Sequence, residues 1–573
     1  MPTAAPTAPA PSSCPDSPAQ QLAALLERAE NGQPIKVDEL STLTRSPDRA
    51  TRGPAKRLLA ILSLQQAQHN AAQLLFEACE DLCYNQPAVF AEAVQHAHQL
   101  RRADLLFSLW AGAAEHAVQR QDPVTALVRA QNAAAVDFQF GNRHVANPDC
   151  LRRLVQTYGR VARACQQSAG VVPARRHHRR SPASGKLRLV HVVGQLVDGG
   201  HAPSRVTETL LKYADRERFD HHVAITEALV RHTGQSGQII TSLPSERRGP
   251  QLIRHFERDL GVPVLRPRSF DTFVTTAADL HQQFAEHQID VAFFHGSIAT
   301  PADWLLCAWQ AAPWQLDRGF GTPLYCPQLD YQYFDSAETM EPLAFLCREH
   351  NIPYGLGPQG SVDLSGIDDA QPFAREELGI PADHVILGTV GNHLPERMSA
   401  RFCKTVAGVL HKCPKTTYVI IGPGKFPAQR AAFGPALTND REAGARVRFA
   451  GLTDKVDRWT LTFDVYLNEY PGGGGISVCE AMAGHKPVVC MKADDSSLSL
   501  AGALYVGEEN LVQPPSDEAY AQRMGELIAD AGARNAMGQA LRTRYEEQFD
   551  ARHFVSVLTE RAWHIVHSTG QTD

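Results

Sequence analysis

Four consecutive glycines, Gly472 to Gly475, separate a strand-like segment from a helix-like segment. Because glycine has no Cβ atom, the backbone N–H groups of such a loop can approach an anion at the positive end of the following helix. A flexible turn is the alternative, but the position directly before a helix favours an anion site. We therefore predict that a phosphate group is bound by Gly473, Gly474, Gly475, Ile476 and the hydroxyl of Ser477.

Four further side chains are candidates for the same ligand. Glu480 lies one turn into the helix, where a carboxylate can accept both hydroxyls of a ribose, or simply complement the helix dipole. Asn392 and Arg397 follow the strand-like run 385–392, and a guanidinium can fork across two oxygens of a diphosphate. Lys425 follows the next strand-like run and is either a second phosphate contact or a solvated loop charge.

Two histidines and one aspartate are candidates for handling a proton. His201 and His295 follow predicted strands, at the edge where parallel sheets bind ligands. An imidazole, with an ordinary pKa of about 6.5, can take a proton from an attacking group or donate to a phosphate oxygen. Asp330 is the candidate carboxylate, with turn capping as its alternative role. The base is open between imidazole, carboxylate and the substrate itself.

Composition excludes several classes of protein. A formal charge of -6 argues against a dedicated nucleic-acid binder, and no apolar run is long enough to predict an integral membrane segment. The 12 cysteines include no CxxC pair, so neither a zinc site nor a disulfide framework is predicted. The N-terminal segment has no secretion signal, and we predict a cytoplasmic location.

The sequence pattern changes several times along the chain and predicts separate domains. Residues 1–18 are rich in Pro, Ala, Thr and Ser and predict a disordered lead, whereas residues 19–170 show apolar residues at helical spacing and predict an all-helical domain. A Pro and Arg-rich stretch, residues 171–186, predicts a linker. Strands and helices then alternate through residues 187–370 and 371–573, with a C-terminal helix in the second segment. This order predicts an α/β fold with two facing Rossmann-like domains behind an all-α domain.

The segment NEYPGGGGISVCEAMAGHKPVV, residues 468–489, resembles the donor-binding segment of two-domain (GT-B type) nucleotide-sugar glycosyltransferases. The segment 388–402 is similar to the strand-loop-helix in which those enzymes hold the donor diphosphate with a Lys or Arg. In their retaining branch a further Glu stands eight residues before the position of Glu480, and that place here is Gly472. The carboxylate that those enzymes use for the sugar hydroxyls is therefore missing.

The first α/β segment narrows the resemblance to the inverting family of protein O-GlcNAc transferases and bacterial adhesin-type cytoplasmic N-glucosyltransferases. The shared features are an Asp-Gly-x-His-x-x-Ser element with His201 and Ser204, then Pro313 and Gln315, a turn over residues 319–322, and Asp330-Tyr331. The turn is one residue shorter than in the family, and the donor loop lacks its His-Thr-Thr donors. The helical domain lacks the tetratricopeptide signature, which points to the N-glucosyltransferase branch.

The resemblance implies a glycosyltransferase that moves a sugar from a UDP-sugar to a protein side chain with inversion at the anomeric carbon. No Asp-x-Asp motif occurs, which removes the usual carboxylate arrangement for a metal-bound nucleotide sugar. We therefore expect a metal-independent enzyme whose donor is a substrate and which needs no cofactor. The predicted partners are the nucleotide sugar and a protein acceptor.

Two other hypotheses remain open. A retaining transferase acting on a lipid-linked or small acceptor would suit the Glu480 segment, but Gly472 and the absence of an amphipathic, Lys-rich membrane face oppose it. A non-catalytic nucleotide-binding scaffold would suit the altered donor loop.

Overall fold

The computed structural model describes residues 17–568 with gaps, and it divides into one compact unit that runs to Val136 and another that begins at Asp137. The gaps within this range are residues 32, 66–70, 83, 100–101, 141–147, 174–184, 195, 199–201, 227–248, 269–270, 319–322, 335–339, 342, 359–361, 393, 439–444, 472 and 493–500. The predicted lead and most of the predicted linker lie outside the described residues.

The first unit is helical, as the 3.6-residue spacing of its apolar residues predicts. Four of the helices up to Ala169 begin at prolines, which suit a first helical turn because they lack the N–H that would have no partner there. Helix Ala103–Gln119 buries eleven of its residues, so it lies in the core of this region. The α-helices before the predicted linker, residues 171–186, are Pro18–Glu30, Val37–Ser41, Arg49–Gln65, Ala71–Asp81, Pro87–Gln99, Ala103–Gln119, Pro123–Phe140 and Pro148–Ala169.

Helix Pro148–Ala169 is part of the second unit and packs on its first sheet domain. The Trp309 indole Nε1 donates to the Ala162 carbonyl at 3.0 Å, and Tyr158 stacks on Trp304 with ring centroids 5.1 Å apart. Arg152 pairs with Glu349 at 2.6 Å. These contacts tie this helix to the sheet domain, while the proposed boundary after residue 170 stays a prediction.

The first sheet is parallel and has seven strands in the order β3-β2-β1-β4-β5-β6-β7. The strands are β1 (Leu187–Val193), β2 (Phe219–Ile225), β3 (Val264–Leu265), β4 (Val291–Phe294), β5 (Trp314–Asp317), β6 (Tyr331–Phe334) and β7 (Tyr354–Leu356). The order reverses between β1 and β4, and the crevice outside the carboxyl ends of two such strands is where open α/β sheets bind ligands. The sequence pattern predicts β1, β2 and β4. It misses β3, β5, β6 and β7, which have two to four residues each and show no readable periodicity.

Helices connect these strands and cover both faces of the sheet, which is why its strands are almost completely buried. The bounds are Ala202–Lys212, Pro250–Arg254 continued by a π-helical turn to Asp259, Phe273–Glu286, Pro301–Ala308, Phe345–Glu349 and Gly366–Asp369.

The second sheet is also parallel, with five strands in the order β10-β9-β8-β11-β12. They are β8 (Val385–Val390), β9 (Thr416–Ile421), β10 (Val447–Gly451), β11 (Val465–Leu467) and β12 (Val488–Val489). The sequence pattern predicts these strands over residues 385–392, 416–424, 447–451, 463–468 and 487–491. The helices of this part are Leu394–Arg397, Ala400–Lys412, Pro427–Phe433, Pro435–Thr438, Val456–Thr462, Ile476–Ala483, Ala501–Val506, Asp517–Ala529, Ala531–Gln548 and Ala551–Ser568. The α/β class and the double Rossmann-like arrangement predicted from the sequence are confirmed.

The last helix, Ala551–Ser568, crosses back to the first sheet domain. Phe554, Val555 and Leu558 are fully buried in the same apolar cluster as Leu187 and Phe293 of the first sheet. The C-terminal helix therefore packs on the first sheet domain, and its contacts help to hold the two sheet domains together.

Candidate active site

The glycine loop, Gly473 to Gly475, follows β11 at the carboxyl edge of the second sheet. Its backbone is fixed by Asn468, whose Oδ1 accepts a hydrogen bond from the Gly474 N–H at 2.9 Å. A Cβ atom on Gly473 would lie 2.3 Å from Asn468 Nδ2, and one on Gly474 would lie 2.6 Å from Ser477 Oγ. Both glycines are buried, so a Cβ atom at either position would have to displace the neighbouring side chain.

Arg397 reaches the glycine loop from helix Leu394–Arg397, which follows the neighbouring strand β8. The Cβ position of Gly474 lies 3.4 Å from Arg397 Nη1. The side chain of Arg397 is one-third exposed, so part of its guanidinium faces solvent. The structure thus brings together Arg397, Ser477 and the loop, which the sequence analysis proposed as a phosphate site, because β8 and β11 are adjacent in the sheet. Their role in donor binding stays a prediction.

Glu469 is a buried carboxylate at this edge that the sequence analysis missed. Its Oε1 lies 3.5 Å from Arg397 Nη1, while its Oε2 is buried without a hydrogen-bond partner among the described residues. Burial raises the pKa of the Glu469 carboxyl, and Arg397 acts in the opposite direction. The signal that could have revealed it is its position directly after β11, next to Asn468.

Glu480 is engaged by an arginine from the first sheet domain. Arg205, on the helix that follows β1, pairs with Glu480 Oε1, and the carboxyl is almost fully buried. Burial raises the pKa of Glu480, and the Arg205 guanidinium counteracts this effect. A ribose at the predicted position would therefore have to share this carboxylate with Arg205. Since both helices start at carboxyl strand edges, the pair also shows that the two edges face each other.

Asn392 and Lys425 lie on the same edge as the loop. Asn392 follows β8 and Lys425 follows β9, which is the neighbouring strand, and both side chains are exposed. The structure therefore places them where they can reach a ligand from solvent. Ile476 begins helix Ile476–Ala483 and packs partly against the core of the first sheet domain.

His295 ends a chain of three buried histidines on the first sheet. Its Nε2 lies 3.1 Å from His191 Nδ1, and His191 Nε2 lies 3.1 Å from His221 Nδ1. His221 Nε2 in turn lies 3.3 Å from the carbonyl oxygen of Asp215. Burial, assisted by the charge of Arg318, lowers the pKa of His295 to about 3. The imidazole is therefore neutral near pH 7, and the catalytic role of His295 stays a prediction.

The other two predicted catalytic residues fare differently. His201 lies outside the described residues. Asp330 precedes β6 at the amino end of the first sheet, where its Oδ2 accepts a hydrogen bond from the Gln315 N–H at 2.9 Å. This is the edge opposite to the ligand-binding edge, so the carboxylate links neighbouring strands there, and this position opposes the catalytic role of Asp330, which stays a prediction. Ser204, which belongs to the same Asp-Gly-x-His-x-x-Ser element as His201, accepts a hydrogen bond from the Val197 N–H at 2.9 Å.

Asp303 is a buried carboxyl near the carboxyl edge of the first sheet. Thr226 donates its hydroxyl hydrogen to Asp303 Oδ1, and a Cβ on Gly296 would clash with Asp303 Oδ2. Burial raises the pKa of Asp303 to about 7, with a smaller contribution from Asp317. This carboxyl is therefore partly protonated near neutral pH.

A separate cavity of about 440 Å³ lies away from these edges, between helix Pro148–Ala169 and helix Pro301–Ala308. Its lining includes Arg160, Arg163 and His350 but no acidic residue among those described. It borders Gln328, which precedes β6, so it opens by the amino ends of the strands. It is therefore not part of the site at the carboxyl edges.

Two general properties complete the description of the site. Among the described residues, no group of three or more His, Cys, Asp and Glu side chains is arranged to hold a metal ion. No described helix combines the length and apolar character needed to cross a bilayer.

Comparisons with known proteins show what the chain is similar to. Residues 384–530 match the family model of group 1 glycosyl transferases. An O-GlcNAc transferase mutant of Thermobaculum terrenum shares 16% identity, with 98% of this chain and 100% of that chain covered at a TM-score of 0.51. A glycosyltransferase from Rickettsia africae shares 14% identity over 68% of this chain and 100% of that chain, with a TM-score of 0.49. HepE of Anabaena, solved with UDP and glucose, shares 14% identity over 66% and 99% of the two chains, with a TM-score of 0.46.

A search of curated proteins found no match. The likeness to the O-GlcNAc transferase, at its low identity, shows the fold, and the family match covers the sheet that carries the glycine loop. The two facing parallel sheets and the group 1 segment together identify the chain as a glycosyltransferase with the GT-B fold.

Proposed function

We propose that this enzyme transfers a sugar from a UDP-sugar to a protein side chain, without a metal ion, in the cytoplasm and with inversion at the anomeric carbon. The observation that carries the proposal is the convergence of the Arg397 guanidinium and the glycine loop on one point of the carboxyl edge. A diphosphate needs positive charge and N–H donors at close range; Arg397 supplies the charge and the first turn of helix Ile476–Ala483 supplies N–H groups, while the Gly474 N–H is bonded to Asn468.

The same groups would stabilise the leaving nucleotide. When the bond between the sugar and the phosphate oxygen breaks, negative charge develops on the diphosphate. Arg397, the backbone N–H groups of the loop and the positive end of helix Ile476–Ala483 are positioned for that charge. Lys425, on a neighbouring strand end, can add a second cation. The preorganised charge replaces the function that a divalent cation serves in metal-dependent transferases.

The acceptor would approach from the first sheet domain. Its carboxyl edge faces the loop, as the contact between Arg205 and Glu480 shows. A nucleophile at that edge can attack the sugar carbon from the side opposite to the diphosphate, so the bond to the acceptor forms as the bond to phosphate breaks. One such displacement inverts the anomeric carbon. The uridine nucleotide and the protein acceptor rest on the sequence resemblance.

The first test is nucleotide binding, because it depends on the proposed donor site alone. Calorimetry should detect UDP binding by the full chain, and Arg397→Ala should weaken it about 10–100-fold, since hydrogen bonds to charged groups contribute about 1.5–3 kcal/mol. Arg397→Lys should recover part of the affinity, because it keeps the charge but loses the fork.

Arg401→Ala is the matched control, since Arg401 is a more exposed arginine that pairs with Asp517. It should leave the affinity unchanged. Equal losses in the Arg397 and Arg401 variants, or no affinity of the wild type for UDP, GDP or dTDP, would refute the donor site.

The second test is transfer. The enzyme is incubated with UDP-glucose, UDP-N-acetylglucosamine and other nucleotide sugars together with cytosolic protein, and added sugar mass is detected on intact proteins. Proton NMR of the product anomer decides between inversion and retention. Nucleotide binding without transfer in any of these reactions would favour the non-catalytic scaffold, and transfer to a lipid-linked or small acceptor would contradict the protein acceptor.

A further inference from the structure

The chain of three histidines on the first sheet has a fixed direction of hydrogen bonding. His221 Nε2 faces the carbonyl oxygen of Asp215, which can only accept, so this nitrogen must carry the proton. In a neutral imidazole the other nitrogen then has a lone pair, so His221 Nδ1 accepts from His191 Nε2. The same logic makes His191 Nδ1 an acceptor for His295 Nε2.

The last nitrogen of the chain is therefore a hydrogen-bond acceptor. With its proton on Nε2, His295 has a lone pair on Nδ1. This atom is buried and has no partner among the described residues. A row of histidines that served packing alone would be satisfied at both ends. This row is satisfied at the Asp215 end and leaves one buried polar atom at the other.

The chain ends at the place where this type of sheet binds ligands. His191 lies on β1 and His295 follows β4, and these two adjacent strands flank the reversal of strand order. The His295 N–H donates to the Val192 carbonyl at 2.9 Å, which holds the residue at the carboxyl end of the ladder. An added Cβ on Gly194, the residue after β1, would meet no heavy atom within 4 Å. Space is therefore available beside the end of β1.

We propose that His295 Nδ1 accepts a hydrogen bond from the O–H or N–H group of the acceptor side chain that attacks the sugar, and that His191 and His221 are positioning residues that fix its tautomer. This inference rests on the proposed transferase function and assigns the acceptor end of the site. It explains why the hydrogen bonds of His191 and His221 hold His295 in one tautomer, with no proton on Nδ1, at the point where the strand order reverses.

The charges around the chain support a neutral state. Burial lowers the pKa of His221 to about 4 and keeps that of His191 well below its ordinary value, where the neighbouring histidines act in the same direction. Arg318 faces His295, and Arg216 and His222 act on His221. A hydrogen bond to the lone pair orients the attacking group, while the proton that this group loses passes to a phosphate oxygen of the departing UDP.

The test compares three substitutions in the full chain. His191→Phe fills the volume of the ring but removes both hydrogen bonds, so His295 can adopt either tautomer. His191→Gln restores a donor towards His221 and an acceptor towards His295. Phe293→Leu is the control for packing, since the Phe293 ring lies 4.9 Å from that of His295 and takes no part in the hydrogen bonds.

The readouts are UDP affinity, thermal midpoint, and kcat and KM for UDP release from UDP-glucose and UDP-N-acetylglucosamine with water or the identified protein as nucleophile. His191→Phe should lower kcat about 100-fold through misorientation, with unchanged UDP affinity. His191→Gln should recover most of this loss, and Phe293→Leu should lower the thermal midpoint with little change in kcat.

Neutron diffraction from crystals grown in D₂O gives the direct result. The wild type should show deuterium on Nε2 of all three rings and none on Nδ1 of His295. A deuteron on that Nδ1, or losses of kcat in His191→Phe and Phe293→Leu that simply follow their losses of stability, would overturn this inference alone. Absence of UDP binding by the wild type would overturn the proposed function and with it this inference.

Discussion

Neighbouring residues at one strand end serve different purposes in this enzyme. Asn468 and Glu469 both follow β11, but the amide of Asn468 holds the glycine loop, whereas the carboxylate of Glu469 lies beside Arg397. One oxygen of Glu469 has no partner among the described residues. A buried carboxylate is unfavourable unless it is paired, and the partner of Glu469 is Arg397, so we expect Glu469 to keep this guanidinium beside the glycine loop.

Asp303 predicts a pH dependence of stability. Its pKa in the fold is about 7, compared with an ordinary value of 3.8, so between these values the folded chain binds a proton that the unfolded chain has lost. The stability that this carboxyl contributes is complete below pH 3.8 and disappears as pH rises through 7. Asp303→Asn removes this term. The free energy of unfolding of the variant, relative to that of the wild type, should rise by about 1 kcal/mol per pH unit up to neutrality. Above neutral pH the difference should stay constant.

The measurement is chemical unfolding of both proteins between pH 5 and pH 9. Thr226→Val is a second check, because it removes the hydroxyl that donates to Asp303 and lowers its pKa. In the Thr226→Val background the pKa of Asp303 is higher, so the difference in free energy of unfolding that Asp303→Asn causes should level off at a higher pH. A pH-independent difference between Asp303→Asn and the wild type would contradict the assignment.

At the scale of elements, the glycine loop depends on the strand that precedes it and the helix that follows it. β11 delivers Asn468 to fix the loop, and helix Ile476–Ala483 begins directly after it. The loop also needs its neighbour, since Arg397 arrives on the connection that follows β8. The anion site is therefore a product of strand order as much as of the glycines.

Gly474→Ala tests the loop as an element. The added Cβ would lie 2.6 Å from Ser477 Oγ and 3.4 Å from Arg397 Nη1, so it should displace both groups. We expect UDP affinity to fall about 10-fold or more as charge-assisted contacts are lost. Calorimetry on the folded variant measures this.

Gly408→Ala is its control, since Gly408 lies within helix Ala400–Lys412 and an added Cβ there meets no heavy atom within 4 Å. It should leave UDP affinity unchanged and stabilise the fold by about 0.5–1 kcal/mol. Unchanged UDP affinity in Gly474→Ala would show that the loop does not contact the nucleotide.

At the scale of the whole second unit, a buried ion pair and the C-terminal helix are among the contacts that connect the two sheet domains. Arg205 and Glu480 come from helices of different sheets, and the C-terminal helix returns to the first sheet. These links hold the two carboxyl edges opposite each other, which a transferase needs for donor and acceptor to meet. They also couple the donor helix to the acceptor domain.

The ion pair makes a prediction that a double-mutant cycle can test. Arg205→Met leaves the buried Glu480 carboxylate without its partner and should destabilise the protein by about 3 kcal/mol. Adding Glu480→Met should recover most of that loss, because the apolar pair needs no desolvation of charge. Chemical unfolding gives the four free energies.

The exposed pair of Lys415 and Asp383 serves as the control, and Lys415→Ala should leave the thermal midpoint almost unchanged. Additive effects of the Arg205 and Glu480 substitutions would show that the two side chains do not interact.

The sequence by itself determined the elements whose signal is local. The glycine run before a helix and the β-branched strands such as β1 and β8 follow from the preferences of neighbouring residues, and the structure has these elements. These local signals also sufficed for the α/β class, because alternation of strands and helices requires parallel sheets.

Only the tertiary structure decided which residues meet. Strand order places Arg397 beside Gly474, aligns three histidines from separate strands, pairs Arg205 with Glu480, and puts Asp330 at the amino end of the sheet. The short strands β3, β5, β6 and β7 likewise exist because their neighbours supply hydrogen bonds. Contacts across a parallel sheet join residues far apart in the chain, and their free energy comes from burial and pairing that no local pattern of residues encodes.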